Sequence, residues 1–414
     1  MTMIEIGREA KNASRELARL STKEKNDLLV ALAEELKVKE EEILQANEED
    51  LRRGKEGNLS EALLDRLLLN PQRIESMIEG ILSIRTMEDP IGKVLSMKTL
   101  ENGLQIGKKT VPLGVVGIIY ESRPNVTIDT AALCLKSSNA LILRGGKEAI
   151  SSNKALVSVI QAALVKRGLN PHMVQLIEDL SYETAGEFMR MNEYLDVLIP
   201  RGSARLIQRV VKESTVPVIE TGVGNCHVFV DESADEEMAL SIIENAKTQR
   251  TGVCNAMESL LVHEAVLESF LPKLEKLTIK HGVKVMADPK ARALVPSFLE
   301  ATEEDYATEF LDLAFSLKTV GSLEEAMEHI AKYGTGHSEA IVTEKYDHAL
   351  SFLNEVDAAA VYVNASTRFT DGQAMGMGAE MGISTQKLHA RGPVGLTELT
   401  STKYIIFGQG QIRP

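Results

Sequence analysis

Along residues 114–219, short apolar runs alternate with helical stretches. The runs are 114–120, 140–143, 174–177, 197–199 and 216–219, and segments such as 151–166 and 203–212 lie between them. Runs of Val, Ile and Leu without polar alternation suit strands buried on both faces. The pattern therefore predicts a parallel sheet covered by helices. A second α/β series follows, with strand-like runs at 227–230, 259–262, 340–343 and 359–363. Helices are expected over 235–247, 264–277 and 323–331. The first ninety residues read as helices. Ser21 and Glu24 make an S-x-x-E capping box ahead of Leu28, Leu32 and Leu36. Asn70 then caps a helix with Pro71 at its first position and Ile74, Met77, Ile78 and Ile81 inward. Between these regions residues 94–111 form a polar ribbon, with Asn102-Gly103 as a two-residue hairpin turn. Such a hairpin either extends a partner's sheet or is a surface flap.

Composition changes this picture in few respects. A chain of 414 residues is long enough for two or three domains. A formal charge of −14 excludes general binding to nucleic acid or to anionic membranes. No stretch approaches the roughly 18 apolar residues of a membrane helix, and the charged N-terminus has no apolar signal core. A cytoplasmic protein is expected. Three scattered cysteines fit a reducing compartment. Eight histidines without ligand spacing predict no metal site.

Parallel sheets place ligands at the C-terminal ends of their strands, so the loops after Tyr120, Leu143, Ile199 and Ile219 draw the search. In the first, Pro124 fixes the backbone ahead of Asn125. The amide is either an oxyanion donor or a turn and cap residue. In the second, Arg144-Gly-Gly-Lys147 suits the ribose or phosphate of a nucleotide. In the third, Gly202-Ser203 opens a helix whose N-terminus could hold a pyrophosphate. No G-x-G-x-x-G follows a strand, so any dinucleotide is bound without that fingerprint. The most informative loop is Lys247-Thr-Gln-Arg250-Thr-Gly-Val-Cys254-Asn-Ala-Met257. There Lys247 and Arg250 stand ready to stabilise a thiolate on Cys254, unless that cysteine is a buried structural one. Cys134 lies on an apolar helix face and reads as core, and Cys226 is open to either reading.

Taken together, segments 111–126, 217–230, 249–259, 333–343 and 361–396 resemble the aldehyde dehydrogenase superfamily. Within it, Val-Asn-Ala-Ser-Thr-Arg-Phe-Thr-Asp over 363–371 and Ser-Thr-Gln-Lys-Leu-His-Ala-Arg-Gly-Pro over 384–393 resemble the γ-glutamyl phosphate reductase family. The resemblance spans essentially the whole chain. It implies an α/β fold with a Rossmann-like cofactor domain (1–92 and 113–224) and an α/β catalytic domain (225–396). It also implies a small β oligomerisation hairpin (93–112, with 397–414). The implied reaction is NADPH-dependent reduction of L-glutamyl 5-phosphate to the 5-semialdehyde through a cysteine thioester. Cys254 falls at the nucleophile and Asn125 at the oxyanion amide. Arg144 stands where the superfamily usually has a lysine on the cofactor ribose. Gly202 and Ser203 fall at the pyrophosphate, and Glu309 with Phe310 at the nicotinamide ribose. Glu220 matches the base of hydrolytic relatives, and here it either binds substrate or orients a water. Arg123, Arg250, Arg368, Lys387, His389 and Arg391 are the cations expected to meet the anionic substrate. The family also implies a homodimer or homotetramer and glutamate 5-kinase as a partner. A hydrolytic aldehyde dehydrogenase and a noncatalytic nucleotide-binding protein are the competing readings.

Overall fold

The computed structural model describes residues 1–413, the side chain of Ala62 excepted. The chain forms two compact units. The first comprises Met1–Thr221, Gly376–Gly382 and the residues from Val394 on, and the second Gly222–Met375 with Ile383–Pro393. The chain thus changes unit at Thr221/Gly222 instead of after Gly224. Residues 376–382 and 394–396, expected with the later domain, pack with the first unit, as does the hairpin.

In the first unit the strands are β1 (Val94–Thr99), β2 (Gln105–Pro112), β3 (Val115–Tyr120), β4 (Ala140–Arg144), β5 (Val174–Leu176) and β6 (Val197–Arg201). Strands β5-β4-β3-β6 make a parallel sheet in that order. Every residue of β3 is buried, which is why its apolar run shows no alternation. Ile6 and Ala10 of helix Met3–Leu17 join Val115, Ile119, Ile142, Phe188 and Leu198 in one core. The capping box forms as expected: the Glu24 N–H donates to Ser21 Oγ at 3.3 Å and the Ser21 N–H to Glu24 Oε2 at 2.8 Å. Asn70 Oδ1 likewise accepts the Arg73 N–H at 2.8 Å.

Two expectations are corrected. Residues 216–219 make a single bridge to β6, between Leu198 and Val218, and no strand. Pro217 has no N–H with which to continue a ladder. The hairpin turn is also longer than two residues: β1 ends at Thr99 and β2 begins at Gln105. A two-residue type I′ turn needs positive φ at both central positions. Gly103 has it (φ +84°) and Asn102 does not. The C-terminal strand Thr400–Phe407 pairs antiparallel with β2.

The second unit holds β7 (Cys226–Val230), β8 (Met257–His263), β9 (Lys284–Ala287), β10 (Leu299–Glu300), β11 (Ala314–Val320), β12 (Ser338–Val342) and β13 (Ala360–Val363). All are parallel, in the order β10-β9-β11-β8-β7-β12-β13. Strands β9 and β10 are too short to register as apolar runs. Strand β11 is hidden in the sequence by Ser316 and Lys318. Ser316 is buried nonetheless, because its hydroxyl pairs with Ser259 Oγ at 3.0 Å. Among the described residues no helix is long and apolar enough to cross a membrane.

Candidate active site

In the first unit the candidate residues cluster where β3, β4 and β6 end. The turn after β3 is tight: Ser122 has φ +44°, and its N–H and Oγ both donate to Glu148 Oε1, at 2.7 and 2.8 Å. Pro124 caps the following helix, Asn125–Lys136, and Asn125 is its first residue. The Asn125 amide donates to Asp129 Oδ2 at 2.9 Å. An amide nitrogen carries two N–H groups. This bond uses one and fixes the plane in which the other points. Burial pushes the Asp129 carboxyl up to about 6, against the opposing pull of Asn125 and Arg201.

At the end of β4 the Arg144 guanidinium donates through Nη2 to the carbonyls of Leu180 and Ser181, at 3.0 and 3.1 Å. Burial, and then the nearby charge of Arg209, draw its pKa down. Beyond β6, Ser203 caps helix Ala204–Glu213, with its Oγ accepting the Leu206 N–H. The Ser203 N–H donates to the Glu121 carboxylate at 2.8 Å. A methyl group on Gly202 would lie 2.5 Å from that carboxylate. The turn thus receives an anionic oxygen closely, and a dinucleotide's pyrophosphate has the same chemistry. On this observation the residues fit the cofactor. Arg123 and Glu220 are half-buried in the same unit.

In the second unit Cys254 is half-buried, in the loop between helix Glu236–Thr248 and β8. Its carbonyl oxygen is held from two sides. The Cys226 thiol donates to it at 3.1 Å, and a Cβ on Gly224 would overlap it. Only glycine permits that approach. The Gly224 N–H in turn donates to Glu309 Oε1 at 2.7 Å, so the loop of Cys254 and the loop of Glu309 and Phe310 meet through one residue. Burial pushes the Glu309 carboxyl up.

Asn255, next to Cys254, is anchored by Arg368. The Arg368 Nη1 donates to Asn255 Oδ1, and its Nε donates to Gln249 Oε1 at 3.0 Å. Thr367 Oγ1 donates to the Asn255 carbonyl at 2.8 Å. Burial lowers the Arg368 pKa. The adjacent charge of Arg250 lowers it further, while Asp371 and Cys254 oppose both. Arg368 thus reaches the loop of Cys254, which also carries Arg250.

Lys247 differs from the sequence reading. Its ammonium is 1% exposed and bonded to Glu258 at 2.6 Å, so its charge is spent inside the protein. Glu258 also accepts the Leu311 N–H at 3.3 Å, which ties it to the loop carrying Glu309. Sequence reading missed Glu258, although one signal was present: a lone carboxylate opening an apolar strand. Lys387 and Arg391 both pair with Asp357, at 2.5 and 2.8 Å, and His389 is exposed with φ +69°. Asp231, Glu232 and His348 come together although no sequence spacing joins them. The Asp231 carboxylate already accepts from Thr343 and Ser233, Glu232 accepts from Lys345, and His348 Nδ1 lies 3.0 Å from Asp231 Oδ1.

His337 and His329 are among the buried imidazoles of this unit. Cys226 Sγ is 3.7 Å from His337 Nδ1, and His329 packs against Tyr306 with ring centroids 5.2 Å apart. Burial draws His337 down from 6.5 to about 4 and His329 to about 3. The unfolded chain protonates both below about 6.5, and the folded chain only near 4 and 3. These two imidazoles therefore withdraw stability as pH drops from 6.5 towards 4, while the raised carboxyls of Asp129 and Glu258 add it. Melting temperatures across that window should fall less, or rise more, in His329→Phe than in the unaltered enzyme. A slope unchanged by His329→Phe would remove that residue from the explanation.

A model of the aldehyde dehydrogenase family matches residues 2–297. A γ-glutamyl phosphate reductase of Heliobacterium modesticaldum is 59% identical over 407 residues, which is 98% of each chain. One from Carboxydothermus hydrogenoformans is 57% identical over 411 residues, 99% of each chain. The crystal structure of the γ-glutamyl phosphate reductase from Thermotoga maritima superposes with a TM-score of 0.97. It is 49% identical, with 99% of each chain covered.

Proposed function

The chain belongs to the aldehyde dehydrogenase family, and within it to the γ-glutamyl phosphate reductases; from that premise we propose the roles its residues play. The enzyme is an NADPH-dependent oxidoreductase of proline biosynthesis. It reduces L-glutamyl 5-phosphate to L-glutamate 5-semialdehyde and phosphate through a cysteine thioester.

Cys254 is the nucleophile of this reading. A free carboxylate is too poor an electrophile for a thiolate, which is why the substrate is an acyl phosphate. The Cys254 sulfur attacks the γ-acyl carbon, and phosphate leaves with the electron pair of the broken C–O bond. The second N–H of Asn125 and the Cys254 N–H stabilise the oxyanion that forms on the way. NADPH, when bound, supplies the hydride that reduces the thioester. The resulting thiohemiacetal collapses to the semialdehyde and returns the thiolate. The observation that carries the assignment is the half-buried Cys254 in a loop whose close approach only glycine permits, with the neighbouring Asn255 bound by Arg368. Arg250, in the same loop, and Arg368 suit the substrate's phosphate or carboxylate.

Gly202 and Ser203 receive the pyrophosphate, Arg144 the ribose, and Glu309 with Phe310 the nicotinamide ribose. The first unit accordingly serves as the cofactor domain and the second as the catalytic domain. Arg123 and Glu220 contact substrate. Glu220 is not a general base here, because hydrolysis of the thioester would waste the activated acyl group. Lys387, His389 and Arg391 are the remaining substrate cations. Lys387 and Arg391 reach substrate by exchanging Asp357 for it.

The exposed apolar residues Val94, Leu95, Met97, Tyr404, Ile406 and Phe407 of the small sheet support assembly into a homodimer or homotetramer. A monomer by light scattering at micromolar concentration would overturn that. The enzyme works in the cytoplasm. A labile acyl phosphate favours its handover from glutamate 5-kinase.

The test is NADP⁺ reduction by the purified enzyme with glutamate 5-semialdehyde, with and without phosphate. Turnover should require phosphate, since phosphorolysis releases the thioester. Steady turnover without it would mean that water reaches the thioester and that the reaction is hydrolytic.

A further inference from the structure

The N-terminus of helix Ala204–Glu213 already holds an anion, and that anion belongs to the protein. Glu121 follows β3, whose last residue pairs in register with Arg201, so its side chain reaches across to the turn after β6. One carboxylate oxygen accepts the Ser203 N–H at 2.8 Å, and the other accepts Ser203 Oγ at 3.4 Å. Gly202 has no Cβ to keep the carboxylate off the turn. The next residue, Ser122, is clamped by Glu148, so the backbone that presents Glu121 is fixed and only the side chain can swing.

We propose that the Glu121 carboxylate sits in the seat of the cofactor's pyrophosphate and must leave it for NADP(H) to bind, so that Glu121 sets the cofactor's affinity. The inference rests on the reading that Gly202 and Ser203 receive the pyrophosphate. A carboxylate and a pyrophosphate cannot share one N–H seat. Both are acceptors, and at hydrogen-bond range their like charges repel. The competent state is the one with Glu121 swung out, and the apparent dissociation constant is the intrinsic one divided by that state's population. Such a competitor in cis would weaken reduced and oxidised cofactor alike, which hastens release of NADP⁺ after each turnover.

The experiment measures binding to the full chain without turnover, by NADPH fluorescence titration and by calorimetry. Adenosine 2′-monophosphate, which lacks the pyrophosphate, serves as the control ligand. Glu121→Gln keeps the shape and removes the charge, and it should tighten NADPH by about tenfold while leaving the control unchanged. Glu121→Asp keeps the charge but draws it back from Ser203 by one methylene, and it should tighten NADPH as well. Unchanged or weaker NADPH binding in Glu121→Gln would overturn the proposal. So would equal tightening of both ligands, which would mean a general relief of repulsion. Gly202→Val tests the underlying reading separately, since a branched side chain there obstructs the seat. NADPH affinity unaffected by that change would place the pyrophosphate elsewhere.

Discussion

Cys254→Ala abolishes turnover, by roughly 10⁴-fold or more, as loss of a nucleophile does when no other group can form the covalent intermediate. NADPH binding survives the change, because the thiol is no part of the proposed cofactor contacts. The side chain is half-buried and its loop is held through backbone atoms: the Cys254 carbonyl by Cys226, and the Asn255 carbonyl by Thr367. The fold should therefore tolerate alanine, and the melting temperature should move little. Activity within about tenfold of wild type would show that Cys254 is not the nucleophile. Lost activity together with lost NADPH affinity would point instead to a collapsed loop. The pairing of steady-state kinetics with a fluorescence titration separates these outcomes.

Glu258→Leu is the second large effect, and it falls on stability. Lys247 and Glu258 are almost wholly inside the protein, and burial pushes the carboxyl up and the ammonium down. Removing one partner leaves an uncompensated buried charge, at a cost of about 3–5 kcal/mol. The Leu311 N–H loses its acceptor as well. Replacing both, as Lys247→Met with Glu258→Leu, should recover most of the loss, since well-packed apolar substitutes for a buried pair are often neutral. Urea denaturation of the two single variants and the double variant measures this directly. A double variant as unstable as Glu258→Leu alone would mean that the carboxylate matters through Leu311 and not through Lys247.

How much of this was legible in the sequence depends on the range of the interaction. The capping box of Ser21 and Glu24 and the cap at Asn70 involve residues three apart, and both form as read. Strand β3 announced itself because every one of its residues is buried. The run at 216–219 misled because one proline outweighs three apolar neighbours. Strand β11 was missed because Ser316 looks polar until its partner, Ser259, is known.

The candidate site divides along the same line. Cys254 stood out by its loop, and Asn125 by the proline before it. Their supports did not. Gly224 and Glu309 meet across 85 positions, and Glu121 and Ser203 across 82. Lys247 looked like a thiolate stabiliser because it is near Cys254 in sequence. Arg368 is far away in sequence, yet it is the residue found beside Arg250. Proximity along the chain suggested Lys247, which is paired with Glu258 instead; Arg368, singled out by its motif, reaches Asn255 across 113 positions.

The most direct measurement is mass spectrometry of the Cys254 peptide. Enzyme mixed with glutamate 5-semialdehyde and NADP⁺ in phosphate-free buffer is quenched in acid within the first turnover. A glutamyl mass increment on Cys254, discharged when phosphate is added before the quench, is the expected result. An unmodified Cys254 while NADPH is produced, or an increment on Cys226 instead, would contradict the thioester mechanism assigned to this residue.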